Sequence, residues 1–434
     1  MVVANGVSLP ELPTESLTLG NGLRLRLIHL PHLQSATVSF FIRVGSRYES
    51  QPTNGLSHFL EHMLYRGTKM HPAAHELSLA IERLGGTLDA STHVDFTSYD
   101  LTLPSETIAE GVGLLAEVLQ KPLLKELRTE KQIIREEILE ELNEDGEQID
   151  IDNVSRQLLY PDHALGFTIA GPLENLARFD TEDLRRHHAA FYSARNSVLC
   201  VSGAFDPREI EDTVRSSFGA MPAGEAIASG SKPVNAATER FDYVLEHGSQ
   251  TDVRLSFHTP GAASPEAPTL TLLSRVLDDG LSTRVHQIIC EERGLAYEAF
   301  AGNDTYEDCG VFDFGASVEH KKAPLLVETV FELIDEIRRH APSDEEIEKA
   351  KRRYLWDLRM VRDDPEGSAG FVGSSALFGL PERIEVIAEQ VARVTADDVQ
   401  RAVQSYFDPQ DAHVTCVGVL DEALRSNVRG LAGA

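Results

Sequence analysis

TADDVQRAVQSYFDPQDAHVTCVGVLD (395–421) repeats the pattern of an earlier stretch, TEDLRRHHAAFYSARNSVLCVSGAFD (181–206). Each reads as a Thr-capped helix, an aromatic pair, a polar turn and a strand that runs into glycine. Phe191-Tyr192 and Tyr406-Phe407 stand 215 residues apart, close to half of the 434-residue chain. Working outward, TLDASTHVDFTSYDLTLP (87–104) is rich in Thr, Ser, Val, Phe and Tyr and reads as a hairpin. A second hairpin, AYEAFAGNDTYEDCGVFDFGASV (296–318), precedes another helical pattern. Between the halves lies GAMPAGEAIASGSKPVNAAT (219–238), small and polar without apolar periodicity, which reads as a linker. The expected fold is α+β: two homologous domains from an internal duplication, 1–218 and 239–434, each a mostly antiparallel sheet with helices packed on it.

The first half has its own signals. LTLGNGLRLRLIHL (17–30) places Asn21-Gly22 between two alternating runs, a hairpin signal. ATVSFFIRVGS (36–46) is apolar enough for a buried strand, and HELSLAIERLG (75–85) is an amphipathic helix that stops at glycine. From Thr107 to Glu144 the pattern is helical with few breaks.

Composition narrows the function. The chain has 40 Lys and Arg against 69 Asp and Glu, a net charge of −29. That balance excludes a nucleic-acid footprint; it serves solubility or attracts basic peptides. Cys200, Cys290, Cys309 and Cys416 are scattered and form no CxxC, so reduced thiols are expected. The N-terminus lacks a basic region followed by an apolar one, and no run approaches the ~18 apolar residues of a membrane span. A cytoplasmic chain is expected.

LSHFLEHMLY (56–65) carries the chemistry. In a helix, His58 and His62 at i and i+4 lie on one face, one turn apart, so both can reach one ion. Glu61 shares that face. Neutral imidazoles are good zinc ligands, and a carboxylate beside an attacking water can take its proton. An ordinary buried helix with two histidines would read the same. Catalytic zinc needs a third protein ligand, which this helix does not supply.

HxxEH inverts the commoner HExxH order and characterises the inverzincins. GLSHFLEHMLYRGT (55–68) resembles the zinc helix of the pitrilysin, or M16, family of metallopeptidases. The resemblance implies one Zn2+ per chain, Glu61 as general base, and a third ligand from a later helix. EKQIIREEI (130–138) has the shape of that helix. Glu137, 75 residues after His62, is then the implied ligand, with the adjacent Glu136 as the alternative. Glu130, two turns before Glu137, is implied as a carboxylate that orients a ligand or the water. The resemblance covers most of the chain and implies a LuxS/MPP-like metallohydrolase fold. GGTLDASTHVDFTSYDLTLP (85–104) is similar to the family's edge-strand region, where extended substrate adds to a sheet; Asp89-Ala90 stands where members often have Asn-Ala. Length and duplication match the short, B-type branch, whose chains pair to enclose a chamber for unfolded or short peptides.

One position departs. Family enzymes hold the substrate carbonyl with an Arg and a Tyr seven residues apart in the second half. Here Tyr297 is present, but Cys290 occupies the arginine position and cannot supply a guanidinium. Either a second M16 chain supplies an intact Arg/Tyr pair, or Arg293 or Arg284 compensates in a homodimer. FVGSSALFG (371–379) reads as a substrate-sensing loop or as a small-residue helix packed against a neighbour.

Overall fold

The computed structural model describes residues 2–3, 7–8, 11–230, 233 and 239–433. Two short strands, β1 (Val2–Val3) and β2 (Val7–Ser8), pair with each other. The Asn21-Gly22 turn, with Gly22 at φ 95°, joins β3 (Thr14–Thr18) to β4 (Arg24–His29). They enter a sheet with β5 (Ser35–Ile42), β6 (Thr87–Thr92), β7 (Thr97–Pro104) and β8 (Ser197–Gly203). The order is β3-β4-β8-β5-β7-β6, antiparallel throughout except for the parallel β4–β8 pair. The second half builds β9 (Phe241–Leu245), β10 (Thr251–Pro260), β11 (Ala299–Thr305), β12 (Cys309–Val318) and β13 (His413–Gly418). Their order, β11-β12-β10-β13-β9, with only β13–β9 parallel, is the first sheet's order without β3.

The helices repeat too. The first half contributes α1 (Leu56–Leu64), α2 (Ala74–Arg83), α3 (Ile108–Gln120), α4 (Leu127–Glu140), α5 (Ile151–Leu159), α6 (Leu173–Arg178), α7 (Thr181–Phe191) and α8 (Pro207–Phe218). The second contributes α9 (Ala267–Leu277), α10 (Ala323–Arg339), α11 (Asp344–Met360), α12 (Pro365–Phe378), α13 (Ile384–Arg393), α14 (Ala396–Tyr406) and α15 (Glu422–Leu431). The 215-residue offset carries α7 onto α14 and the first residue of α8 onto that of α15. Among the described residues no helix is long and apolar enough to cross a membrane.

Each sheet has one face in its own domain's core and the other covered by a helix from the opposite half. Alternation along β5 points Ala36, Val38, Phe40 and Ile42 into the core with Phe59, Leu60, Val112 and Leu115. It turns Phe41 to the other face, against Ala369, Ala376 and Leu377 of α12. In exchange, α5 packs on β10 and β13. This swap explains why β5 and β8 are almost wholly buried: both faces are covered. FVGSSALFG is therefore helix, and its small residues permit close approach. A Cβ on Gly373 would stand 2.2 Å from Phe41 Cε2 and 3.0 Å from Cys200 Sγ. Arg24 and Arg43 donate to the Ala376 and Leu377 carbonyls, placing positive charge at the negative end of α12.

Two details differ from expectation. Asp180, not Thr181, caps α7: its carboxylate accepts from the Glu182 and Asp183 N–H groups, and Thr181 takes the first helical position. Thr395 does cap α14. The helical stretch after Thr107 is two helices, because the chain turns at Lys121–Glu126 around Pro122, with Leu124 and Glu126 at positive φ. The expected linker is tied down where it is described. The Pro222 and Ala223 carbonyls accept from the Ala194 and Arg195 N–H groups, and Ile227 N–H donates to Asn196 Oδ1. Its residues 231, 232 and 234–238 lie outside the described residues.

Gly373→Leu should overfill the α12–β5 contact and cost about 1–3 kcal/mol. Gly370→Ala, whose Cβ meets nothing within 4 Å, should stabilise by up to about 1 kcal/mol through helix propensity. Urea unfolding of both variants checks the pair. Equal effects would contradict the close packing of α12.

Candidate metal centre

α1 is placed by burial. Leu56, Phe59, Leu60, Met63 and Leu64 recur at helical spacing and enter the core, and α7 packs against them. The opposite face looks into a cleft of about 580 Å³ lined by His58, Glu61 and His62, by Ala90 to His93 of β6 and the turn after it, and by Glu137, Glu141 and Asp150. α4 packs against α1 through Ile134 and Ile138, which fixes the face that Glu130 and Glu137 share.

Three ligand atoms converge. His58 Nε2 lies 3.2 Å from His62 Nε2 and 3.3 Å from Glu137 Oε1, and His62 Nε2 lies 3.7 Å from Glu137 Oε2. A tetrahedral zinc with bonds near 2.0–2.1 Å separates its ligand atoms by about 3.3 Å, so the spacing fits that ion. Among the described residues these three form the one group of His, Cys, Asp or Glu side chains close enough to share a metal. Glu136, the neighbouring alternative, is exposed and faces Arg135 at 3.1 Å.

The surroundings orient these side chains. His62 Nδ1–H donates to Glu130 Oε1 at 2.8 Å, which leaves the Nε2 lone pair pointing at the other two ligands. Glu130 is buried and also accepts from Arg66 Nε. Burial pulls the His62 pKa down, but the Glu130 hydrogen bond and the charges of Glu61 and Glu137 outweigh it and raise it. Burial likewise pushes Glu130 up, yet His62 and Arg66 hold it below the usual carboxylate range. Glu137 is lowered first by its contact with His58. Two carboxylates that stay ionised beside two imidazoles suit a cation. Glu61, on the same face of α1, accepts from Thr92 Oγ1 at 2.8 Å. Thr92 belongs to β6, the edge strand of the sheet, whose residues Ala90, Ser91 and Thr92 line the cleft.

Tyr297 is not brought to this place. It is 95% exposed in the second half, and every residue lining the cleft comes from the first. Cys290 lies in a π-helical turn, His286–Glu292. Arg284 is held by Glu346 at 2.7 Å and Glu336 at 3.1 Å, and Arg293 by Thr329 at 2.7 Å and by Glu332. Sequence reading missed Arg66 and Thr92. Arg66 stands one turn after His62, a spacing that marks a neighbour; Thr92 is near only because β6 folds beside α1.

The comparisons agree with this geometry. A sequence profile described as Insulinase (Peptidase family M16) matches residues 24–173, and one described as Peptidase M16 inactive domain matches residues 178–354. An uncharacterised zinc protease of Bacillus subtilis, YmxG, is 27% identical over 393 residues, 90% of this chain and 95% of that protein. The mitochondrial-processing peptidase subunit beta of Blastocladiella emersonii is 28% identical over 431 residues, 96% of this chain and 91% of that protein. A protease from Helicobacter pylori of known structure superposes with a TM-score of 0.87 at 22% identity, covering 95% of this chain and 100% of that one.

Glu130→Gln should weaken zinc binding by about 10–100-fold, the usual effect of losing a ligand's hydrogen-bond partner. Glu136→Gln should leave it within about twofold, in line with an exposed side chain. Competition with a chromogenic chelator measures both. Equal losses would contradict the separate orientations of these carboxylates.

Proposed function

This chain belongs to the M16 family of peptidases, and from that premise we propose that it is a zinc peptidase that cleaves extended, unfolded or short peptides. The observation that carries the reading is the convergence of His58, His62 and Glu137 in one cleft with Glu61 beside them. One zinc ion per chain, held by those three side chains, would act as a Lewis acid that polarises the scissile carbonyl and acidifies water.

The chain's own residues do the rest. Glu61 accepts the proton of the attacking water and returns it to the leaving amine. Thr92, bonded to one oxygen of Glu61, fixes that carboxylate while leaving its other oxygen for the water. Glu130 and Arg66 keep the His62 proton on Nδ1. The free edge of β6 offers main-chain groups to an extended substrate, which would add as a further strand. Glu137, Glu141 and Asp150 give the cleft an acidic lining that favours basic peptides.

Substrate carbonyl recognition is divided between two chains. Cys290 brings no guanidinium, and Arg284 and Arg293 are already bound by carboxylates of their own domain. A second M16 chain therefore supplies an Arg/Tyr pair across a shared chamber, with this chain as the metal-bearing subunit. The alternative, a self-sufficient homodimer, would need one of those two arginines to release its partners. The exposure of Tyr297 suits contact with a substrate or partner.

Glu61→Gln should keep zinc affinity within about twofold and lower cleavage of an unstructured basic peptide by about 10²–10⁴. Zinc content and cleavage measured on one sample check this; wild-type cleavage by the variant would remove the base from the mechanism. Cys290→Arg should raise kcat at least about 10-fold at concentrations where two copies of this chain pair, the substituted position of one copy serving as carbonyl donor at the cleft of the other. An unaltered rate would count against the divided-site reading.

A further inference from the structure

The metal helix has an unusual start. The residue that precedes α1 in the N-cap position is Gly55, with φ 100°. No other residue fits there, because a Cβ would lie 2.4 Å from the Ala170 carbonyl oxygen. A glycine has no side chain with which to cap the helix, and the first N–H groups of α1 would be left without partners in a buried place. Glu49, seven residues before α1, supplies what glycine lacks. Its Oε2 accepts from Gly55 N–H at 2.8 Å and from Asn54 Nδ2 at 3.1 Å. Its Oε1 accepts from Ser57 N–H and Ser57 Oγ, each at 2.7 Å. The carboxylate is buried, and its charge sits at the positive end of the helix dipole.

The network reaches α7. Ser57 gives its only hydroxyl proton to Glu49, so at 3.0 Å the His187 Nε2–H donates to Ser57 Oγ. Burial lowers the His187 pKa to about 3, which keeps the ring neutral, and Phe191 packs against it at 4.7 Å. Ser57 immediately precedes the ligand His58. Two elements outside the cleft, the Glu49 turn and α7, thus grip α1 one residue from its first ligand.

We propose that Glu49, with Ser57 and His187, is a positioning device for the metal ligands: it fixes the rise and rotation of α1 so that His58 and His62 meet Glu137. It touches no ligand atom. It acts through helix placement, and so it sets metal affinity as well as fold stability. The inference rests on the proposed zinc site.

The test measures zinc dissociation constants by chelator competition and thermal midpoints of the metal-free protein, for wild type, Glu49→Gln, Ser57→Ala and His58→Ala. Glutamine turns its amide hydrogens toward Gly55 N–H and Asn54 Nδ2, so Glu49→Gln should raise the zinc dissociation constant about 10-fold, the lower end of what losing a direct hydrogen bond to a ligand costs, because Glu49 acts one step further out through the placement of α1. Ser57→Ala keeps the backbone donor but removes the hydroxyl and strands the buried His187 Nε2–H, so a lower midpoint is expected together with a rise of about 3–10-fold in the dissociation constant, below the effect of losing a direct hydrogen bond to a ligand. If both variants bind zinc within twofold of wild type, whatever their midpoints, the carboxylate serves stability alone and the inference is overturned. Should Glu49→Gln fail to fold, Ser57→Ala decides by the same criterion. A wild-type protein that binds no zinc sensitive to His58→Ala would overturn the metal-site reading itself, an outcome distinct from normal binding by the variants.

Discussion

The candidate metal centre depends on bringing three side-chain atoms, from two helices, within a few ångströms of one another. His58 and His62 come as a pair for free, because an α-helix puts i and i+4 side by side. Glu137 does not. It reaches them only if α4 crosses α1 at a fixed height and rotation, and the Glu130–His62 hydrogen bond, reinforced by Arg66, ties the two helices together at His62 itself, two turns of α4 before Glu137. A carboxylate in that position serves two ends. It sets the tautomer of one ligand, and it makes the relative placement of the helices a matter of a 2.8 Å contact rather than of apolar packing alone.

The sheets make that placement rigid. The duplicated domain repeats the scaffold without the chemistry: α9, whose sequence is APTLTLLSRVL, stands where α1 stands in the first half and carries no histidine. What the second domain contributes is cover. By lodging α12 on the far face of the first sheet and receiving α5 on its own, it lets β5 and β8 be buried on both faces. Charged contacts then lace the halves together: Arg26 with Glu382 at 2.6 Å, Arg43 with Glu307 at 3.2 Å, Arg47 with Asp308 at 2.7 Å and Arg156 with Asp313 at 2.8 Å. The halves cannot part without exposing an apolar helix face and stripping partly buried arginines of their partners, which is costly.

Much of this was legible in the sequence, for identifiable reasons. The hairpins, α1 and the repeated helix–turn–strand unit announce themselves through local periodicity and turn chemistry, and the 215-residue offset persists in the elements. His58, Glu61 and His62 are legible because helical geometry makes their spacing meaningful. Glu130 and Glu137 were reached by resemblance to a family; without it, they are two among many acidic residues on an exposed-looking helix. What stayed hidden depends on contacts distant in the chain. Thr92 meets Glu61 only through the β6 edge, His187 meets Ser57 across 130 residues, and the helix swap leaves no local trace. Glu49 is the sharpest case: a buried charged residue in a turn has no periodic pattern to reveal it, yet it completes the helix that bears the ligands. The Thr181 cap was misplaced by one residue because Asp180 and Thr181 are both good caps, and local chemistry does not choose between neighbours.

The central claim is that the three side chains form one zinc site. Its most direct test is a crystal structure of the zinc-supplied protein with anomalous scattering recorded on both sides of the zinc absorption edge. The account predicts a single anomalous peak per chain, at about 2.0–2.2 Å from His58 Nε2, His62 Nε2 and a Glu137 oxygen, with His62 Nδ1 still bonded to Glu130. A peak elsewhere, or zinc-replete crystals with no peak between these residues, would contradict it.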